Sequence, residues 1–190
     1  VIVNNLLICD HAAYIERHLL IPVSVPAGSR IAARYQASTT TNDDVYVAVT
    51  TMAQTLTPSS GLNRCITYGA DTGDSGGTVV NSGGTTNTKG AWSQLAASTT
   101  ETIRALWWMI GGREHNHADS DFLVDIGVGA AASEQVIIPD VPFVSINQNT
   151  YPHFPVPVDI PAGSRLAVRT QAYTTNATLR QLDFVLYGVS

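Results

Sequence analysis

Apolar and polar residues alternate with a period of two in several stretches of this chain, and prolines and glycines interrupt the strand-like runs at short intervals. That is the pattern of half-buried β-strands joined by tight turns. Between Arg30 and Ala37, Ile31, Ala33, Tyr35 and Ala37 form one face, and Arg30, Ala32, Arg34 and Gln36 form the other. Between Arg165 and Ala172, Leu166, Val168, Thr170 and Ala172 oppose Arg165, Ala167, Arg169 and Gln171. Each stretch thus has one core-like face and one face with two arginines and a glutamine. Further strands are predicted at Val45 to Thr51, Thr102 to Ile110, Phe122 to Val128, Gln135 to Ile138 and Leu179 to Val189, with a short one at Thr78-Val79-Val80. Residues 19–25 and 154–160 mix proline with β-branched residues, which excludes a helix interior and suits edge or irregular strands. Ile66 to Gly90, rich in glycine, serine and threonine, predicts a long loop. Trp92 and Leu95 have helical spacing, but Ser98-Thr99-Thr100 ends that run, so helix is a minor element.

The two alternating stretches are copies. With Gly28 set against Gly163, an offset of 135, residues 18–37 match 153–172 at 12 of 20 positions. Pro26, Gly28, Arg30 and Arg34 fall on Pro161, Gly163, Arg165 and Arg169, and His18 falls on His153. In each Pro-Ala-Gly-Ser, proline is expected to preset φ at the second turn position, and glycine to take a positive φ at the third, as a type II turn requires. At the same offset Val1-Ile2-Val3 falls on Val136-Ile137-Ile138, so the second copy has an upstream half, residues 64–135, that the first lacks. The chain opens inside an apolar run, and its true N-terminus is expected upstream. The fold expected is all-β, a tandem of jelly-roll-like β-sandwich repeats whose first copy is incomplete at its N-terminal side. Residues 1–57 would be the C-terminal half of the first sandwich, 58–63 a linker, and 64–190 a complete second sandwich.

Composition narrows the partners. A hydrophobic share of 44% in 190 residues can supply a core, while charged residues make up only 13%. Thr, Ser, Asn, Gly and Ala replace the charges, which suits a surface that meets other protein. A net charge of −5 without a Lys/Arg cluster argues against nucleic acid, and no apolar run approaches the length of a membrane helix. Cys9 and Cys65 make no disulfide framework; they are open to pairing or to being free buried thiols.

Few motifs carry chemistry. Gly73-Asp74-Ser75-Gly76-Gly77 matches the nucleophile segment of chymotrypsin-like proteases, but the upstream His and Asp of a triad are not laid out around it, so a glycine-rich loop is expected. Glu114-His115-Asn116-His117-Ala118-Asp119-Ser120-Asp121 gathers metal-ligating residue types, with His115, His117, Asp119 and Asp121 on one side of an extended segment. Its spacing fits neither a calcium loop nor His-Glu-x-x-His, and a solvated loop between two strands is expected, with a structural metal as the alternative. Arg165 and Arg169, like Arg30 and Arg34, stand about 13 Å apart along a strand, so each arginine pairs with its own carboxylate. Asp125, Asp159, Asp183 and Glu134 are available to the second copy, and Asp10, Glu16, Asp43 and Asp44 to the first. His18 and His153, recurring with the repeat, belong to the scaffold. Trp92, Trp107, Trp108 and Tyr68 are expected in the core rather than in a sugar-stacking platform. No catalytic set and no cofactor motif emerges.

With Ile-Pro-Ala-Gly-Ser-Arg-Leu-Ala-Val-Arg-Thr-Gln-Ala at 160–172, its copy at 25–37 and the lead-in Leu-Val-Asp-Ile-Gly-Val-Gly-Ala-Ala at 123–131, the chain resembles structural proteins of tailed-bacteriophage virions. The resemblance implies a β-sandwich on the outside of a capsid or along a tail, present in many symmetric copies and without enzymatic residues. A capsid decoration (cement) protein is the function this implies, with a glycan- or receptor-binding tail or fibre module as the alternative. Its partners would be the major capsid or tail protein and further copies of itself, with no membrane and no nucleic acid. Its location would be the virion, assembled in the host cytoplasm.

Overall fold

The computed structural model describes residues 2–7, 19–37, 47–51, 64–117, 121–144, 155–173 and 180–190. Among them run ten strands: β1 (Cys65–Tyr68), β2 (Ala70–Asp71), β3 (Gly76–Asn81), β4 (Ser93–Ala96), β5 (Ile103–His117), β6 (Asp121–Val128), β7 (Gln135–Val144), β8 (Val156–Ile160), β9 (Leu166–Ala172) and β10 (Arg180–Val189). All pair antiparallel, in two sheets. One has the order β2-β3-β10-β5-β8, with β1 also on β10; the other has the order β4-β9-β6-β7.

The pairings follow one rule. β6 pairs with β7, β5 with β8, β4 with β9 and β3 with β10. The chain from β3 to β10 is therefore one long antiparallel ribbon whose tip is the β6–β7 hairpin, rolled so that its successive parts fall alternately into the two sheets. Rolling brings β10 beside β5 and β9 beside β6. This wiring is a jelly roll.

The core lies between the sheets. Ile103, Leu106, Ile110, Phe122, Val124, Ile126, Phe143, Leu166, Val168, Leu182, Phe184 and Leu186 are buried there, and the Phe122 and Phe143 rings meet at 5.8 Å. The alternation read from the sequence accounts for β9: Leu166, Val168, Thr170 and Ala172 are buried while Arg169 and Gln171 are half-exposed. Edges are short or carry proline. β4 has four residues, β8 contains Pro157, and β7 contains Pro139 and Pro142. These features stop a strand edge from recruiting another strand.

Several expectations need correction. The span 66–90, read as a long loop with one short strand at Thr78-Val79-Val80, contains β2 and most of β1 as well, and that short strand extends to β3. Trp92 and Leu95 flank and enter a strand, β4, not a helix. Glu114 to His117 continue β5 rather than forming a loop, because β10 extends far enough to pair with it, Arg180 facing His117. In each Pro-Ala-Gly-Ser turn, Ser29 N donates to Pro26 O (3.2 Å) and Ser164 N to Pro161 O (3.3 Å). Proline thus holds the first turn position, not the second, while Gly28 (φ 79°) and Gly163 (φ 86°) hold the third.

Among the described residues the repeat in sequence has no repeated sandwich. Residues 31–37 and 47–51, expected as strands, belong to neither sheet. Alternation provides a face to bury, but a strand also needs neighbours for its amides and carbonyls. Residues 2–7 and 19–23 instead lie on the outer face of the six-stranded sheet. There Leu7 is buried with Trp107, Met109, Val185, Tyr187 and Val189, and Val3, Leu19, Ile21 and Val23 pack against them. The linker expected at 58–63 lies outside the described residues.

Candidate functional site

The repeated motif is the corner where the ribbon crosses between sheets. β8 ends at Ile160 in one sheet and β9 starts at Leu166 in the other, with the Pro161-Ala162-Gly163-Ser164 turn between them. The β4–β5 crossing runs alongside and clamps it through Thr99, which is 3% exposed. Thr99 N donates to Ser164 O (2.8 Å), Gly163 N to Thr99 O (2.7 Å), Thr99 Oγ1 to Pro161 O (3.0 Å) and Ser164 N to Thr99 Oγ1 (3.1 Å). A cleft of about 460 Å³ opens beside this corner, lined by Ala97, Val128, Gly129, Gln135, Gly163 and Arg165 among others. Its arginine is neutralised, since Arg165 Nη1 lies 2.7 Å from Glu134 Oε1 and its Nε donates to Gln94 Oε1.

Arg165 and Arg169 have separate carboxylates. Arg169 Nε lies 2.9 Å from Asp125 Oδ2, directly across the β6–β9 ladder. Asp125 is buried and also accepts from Lys89 Nζ (2.7 Å) and from the Asp140 amide (3.0 Å), both at Oδ1. A bulge places that amide: between the pairs Val124↔Val141 and Ile126↔Ile138, Asp125 faces two residues, Pro139 and Asp140. Proline cannot donate to the ladder, and Asp140 takes a positive φ of 49° that turns its amide onto the carboxylate. Burial alone would raise the Asp125 pKa, but the Asp140 amide, Lys89 and Arg169 outweigh it and hold the carboxyl below its ordinary value. Lys89 also lies 2.8 Å from Asp140 Oδ1. On the other side, the Arg169 guanidinium sits 4.6 Å from the centre of the Trp92 ring. A Cβ at Gly127 would stand 2.7 Å from Trp92 Cη2, so the absence of a side chain there admits the ring. Lys89 leaves little mark in the sequence. Its signal is that it is the one lysine of the chain, in a loop without periodicity.

Among the described residues, the remaining sequence candidates do not assemble into a site. Ser75 lies in the β2–β3 turn with φ 62°, and the turn is built by Asp71 Oδ1 accepting from Gly73 N and Asp74 Oδ1 from Gly76 N. The side chains of His115 and His117, and all of His18, Asp119 and His153, lie outside the described residues; Asp121 opens β6. Trp107 (2% exposed), Trp108 (6%) and Tyr68 (7%) are buried as expected, whereas Trp92, also expected in the core, is only half-buried with the Arg169 guanidinium over its ring, so the three tryptophans do not share one exposed platform. Cys65 is a free buried thiol, and burial pushes its pKa up to about 11.

The N-terminal segment is tied down by polar contacts. Leu7 N donates to Tyr187 Oη (2.9 Å), Tyr187 Oη donates to Asn5 O (2.9 Å), and Thr67 Oγ1 donates to Asn4 O. Tyr187 stacks on Trp107 at 4.4 Å, which fixes the ring that holds the segment. Residues 26–37 and 47–51 are exposed throughout, with Ile31, Tyr35, Val47 and Val49 at 39, 60, 58 and 58%.

No protein-family model matches this sequence, and no curated protein matches it. Among solved structures, one similar chain is from the structure of infectious bursal disease virus, Gx strain, at 9% identity and a TM-score of 0.31. The match covers 76% of this chain and 43% of that one, so this chain spans less than half of that neighbour's length. A likeness of that degree carries no functional argument, and the chain is placed by its own wiring, an all-β jelly-roll sandwich.

Proposed function

We propose that this chain is a non-enzymatic structural component of a virus particle that works through its surfaces. The observation that carries the proposal is the contrast between a filled interior and an exposed segment, residues 26–37, that belongs to neither sheet. Jelly-roll wiring is used by capsid, lectin and cupin domains alike, so it does not choose among them. A cupin-type site needs room between the sheets, and here Phe122, Phe143, Phe184 and Leu186 occupy that space. A sugar platform built on the paired tryptophans would need their faces exposed, and Trp107 and Trp108 point into the protein instead. What the surface offers is a chain low in charge, with Ile31, Tyr35, Val47 and Val49 in the solvent. Such a surface gains stability by being covered.

Within this reading the resemblance to tailed-phage virion proteins favours a capsid decoration (cement) role over a tail or fibre role. A decoration protein would bridge neighbouring capsid subunits, burying on the order of 1,600 Å² per contact. The test is density-gradient purification of intact particles followed by peptide mass spectrometry. Co-migration at a fixed stoichiometry that survives a salt wash is the expected result. Recovery of the chain only from the soluble fraction would overturn the proposal.

A further inference from the structure

The two copies of the motif share sequence and turn but not surroundings. Arg165 to Ala172 lead into and form β9, which lies between β6 and β4, and Ala167, Val168 and Ala172 are buried. Their counterparts Ala32, Ala33 and Ala37 are exposed, as is every residue from Pro26 to Ala37. The turn ahead of them is nonetheless made as in the second copy, with Gly28 at φ 79° and Ser29 N on Pro26 O. The segment therefore enters in the conformation that starts β9, and it ends in a contact of Gln36 Nε2 with Thr72 O (3.0 Å).

The second copy states what such a strand pairs with. Along the β6–β9 ladder Asp125 stands opposite Arg169, with Val124 opposite Thr170 and Ile126 opposite Val168. By the offset, the residue in Arg169's place is Arg34, flanked by Ala33 and Tyr35. We infer that residues 30–37 are an acceptor for an antiparallel strand supplied by a separate polypeptide, one that has β6's chemistry: alternating apolar residues with a carboxylate in register with Arg34. Strand addition satisfies the backbone, the apolar residues gain cover, and the carboxylate selects the partner and its register.

A second copy of the same segment is a poor occupant. Residues 30–37 hold two arginines and no carboxylate, so no antiparallel register of two copies sets an opposite charge against Arg34, and the register centred on Ala32 sets Arg30 of each opposite Arg34 of the other, where like charges are destabilising. The strands of the sandwich are also spoken for, since β6 is already held between β9 and β7. The inference stands apart from the virion proposal: a strand acceptor need not sit on a particle, and a particle protein need not accept a strand.

The experiment uses the full chain and a synthetic peptide with the sequence of residues 121–128, Asp-Phe-Leu-Val-Asp-Ile-Gly-Val. Hydrogen exchange by mass spectrometry follows the amides of 30–37, and anisotropy of labelled peptide follows binding. Peptide is expected to slow exchange across 30–37. Arg34→Asp, on an exposed segment, is expected to weaken binding by at least about tenfold, and a peptide with Arg in place of its second Asp to restore it. Absence of protection at 30–37, protection at the β7 edge instead, or binding indifferent to the charge reversal would each overturn the inference. So would concentration-dependent protection without peptide, which would assign the segment to self-association.

Discussion

Thr99 and Ser164 hold each other through two hydrogen bonds of opposite direction, Thr99 N to Ser164 O at 2.8 Å and Ser164 N to Thr99 Oγ1 at 3.1 Å. They belong to the two chain crossings that must run side by side for the ribbon to roll. Thr99→Val keeps the shape and removes the hydroxyl, leaving Pro161 O and Ser164 N without that partner. A loss of about 1–3 kcal/mol is expected, measured as a lower urea midpoint with an unchanged m-value. A variant as stable as the parent would show that the corner is not held this way.

Asp125 makes stability fall in acid. Its carboxyl is held below the ordinary range, so it adds stability that is present above the unfolded value, about 4, and is lost as pH falls through the folded value. Asp125→Asn keeps the volume but leaves Arg169 without its carboxylate, and a loss of about 2–3 kcal/mol at pH 7 is expected, because Arg169 is only partly buried. The parent's unfolding free energy should drop below about pH 5, and the variant's should drop less steeply. Parallel pH curves would remove Asp125 from the account.

Tyr187 ties the N-terminal segment to the sandwich. Tyr187→Phe keeps the ring on Trp107 and deletes the hydroxyl that joins Leu7 N and Asn5 O. Hydrogen exchange should speed up at Leu7, at a cost of about 1 kcal/mol, while the core strands β5, β6 and β9 keep their protection. Unchanged exchange at Leu7 would place the anchoring in Leu7's apolar contacts alone.

Cys65 should be chemically silent in the folded protein. A thiol buried and shifted to about 11 holds almost no thiolate at neutral pH. In a Cys9→Ser background, maleimide should modify Cys65 only after denaturant is added. Rapid modification of the native chain would contradict the buried position.

The strands with strict alternation were legible in advance, β9 most clearly, because burial of one face writes itself into every second residue. The separate carboxylates of Arg165 and Arg169 also followed, since about 13 Å of strand keeps two arginines from sharing one. β1 and β2 were hidden because Gly69, Gly73, Gly76 and Gly77 surround them with turn signals. The full length of β7 was hidden for a related reason: Pro139 and Pro142 suggest a stop, yet β7 is an edge strand with a bulge, where proline is tolerated. The end of β5 was misread because Glu114 to His117 are polar, and only the length of β10 keeps them in the ladder. The first copy misled most. Its pattern is that of a strand, but pattern alone does not bring a neighbour.

We propose a closed jelly roll that meets other protein through residues 30–37. A cryo-electron map of purified particles tests this most directly. The density expected shows the sandwich at subunit boundaries, with residues 30–37 ordered as a strand against a neighbouring polypeptide and a carboxylate facing Arg34. Particles that lack the sandwich, or that contain it with 26–37 facing solvent as in the isolated chain, would contradict it.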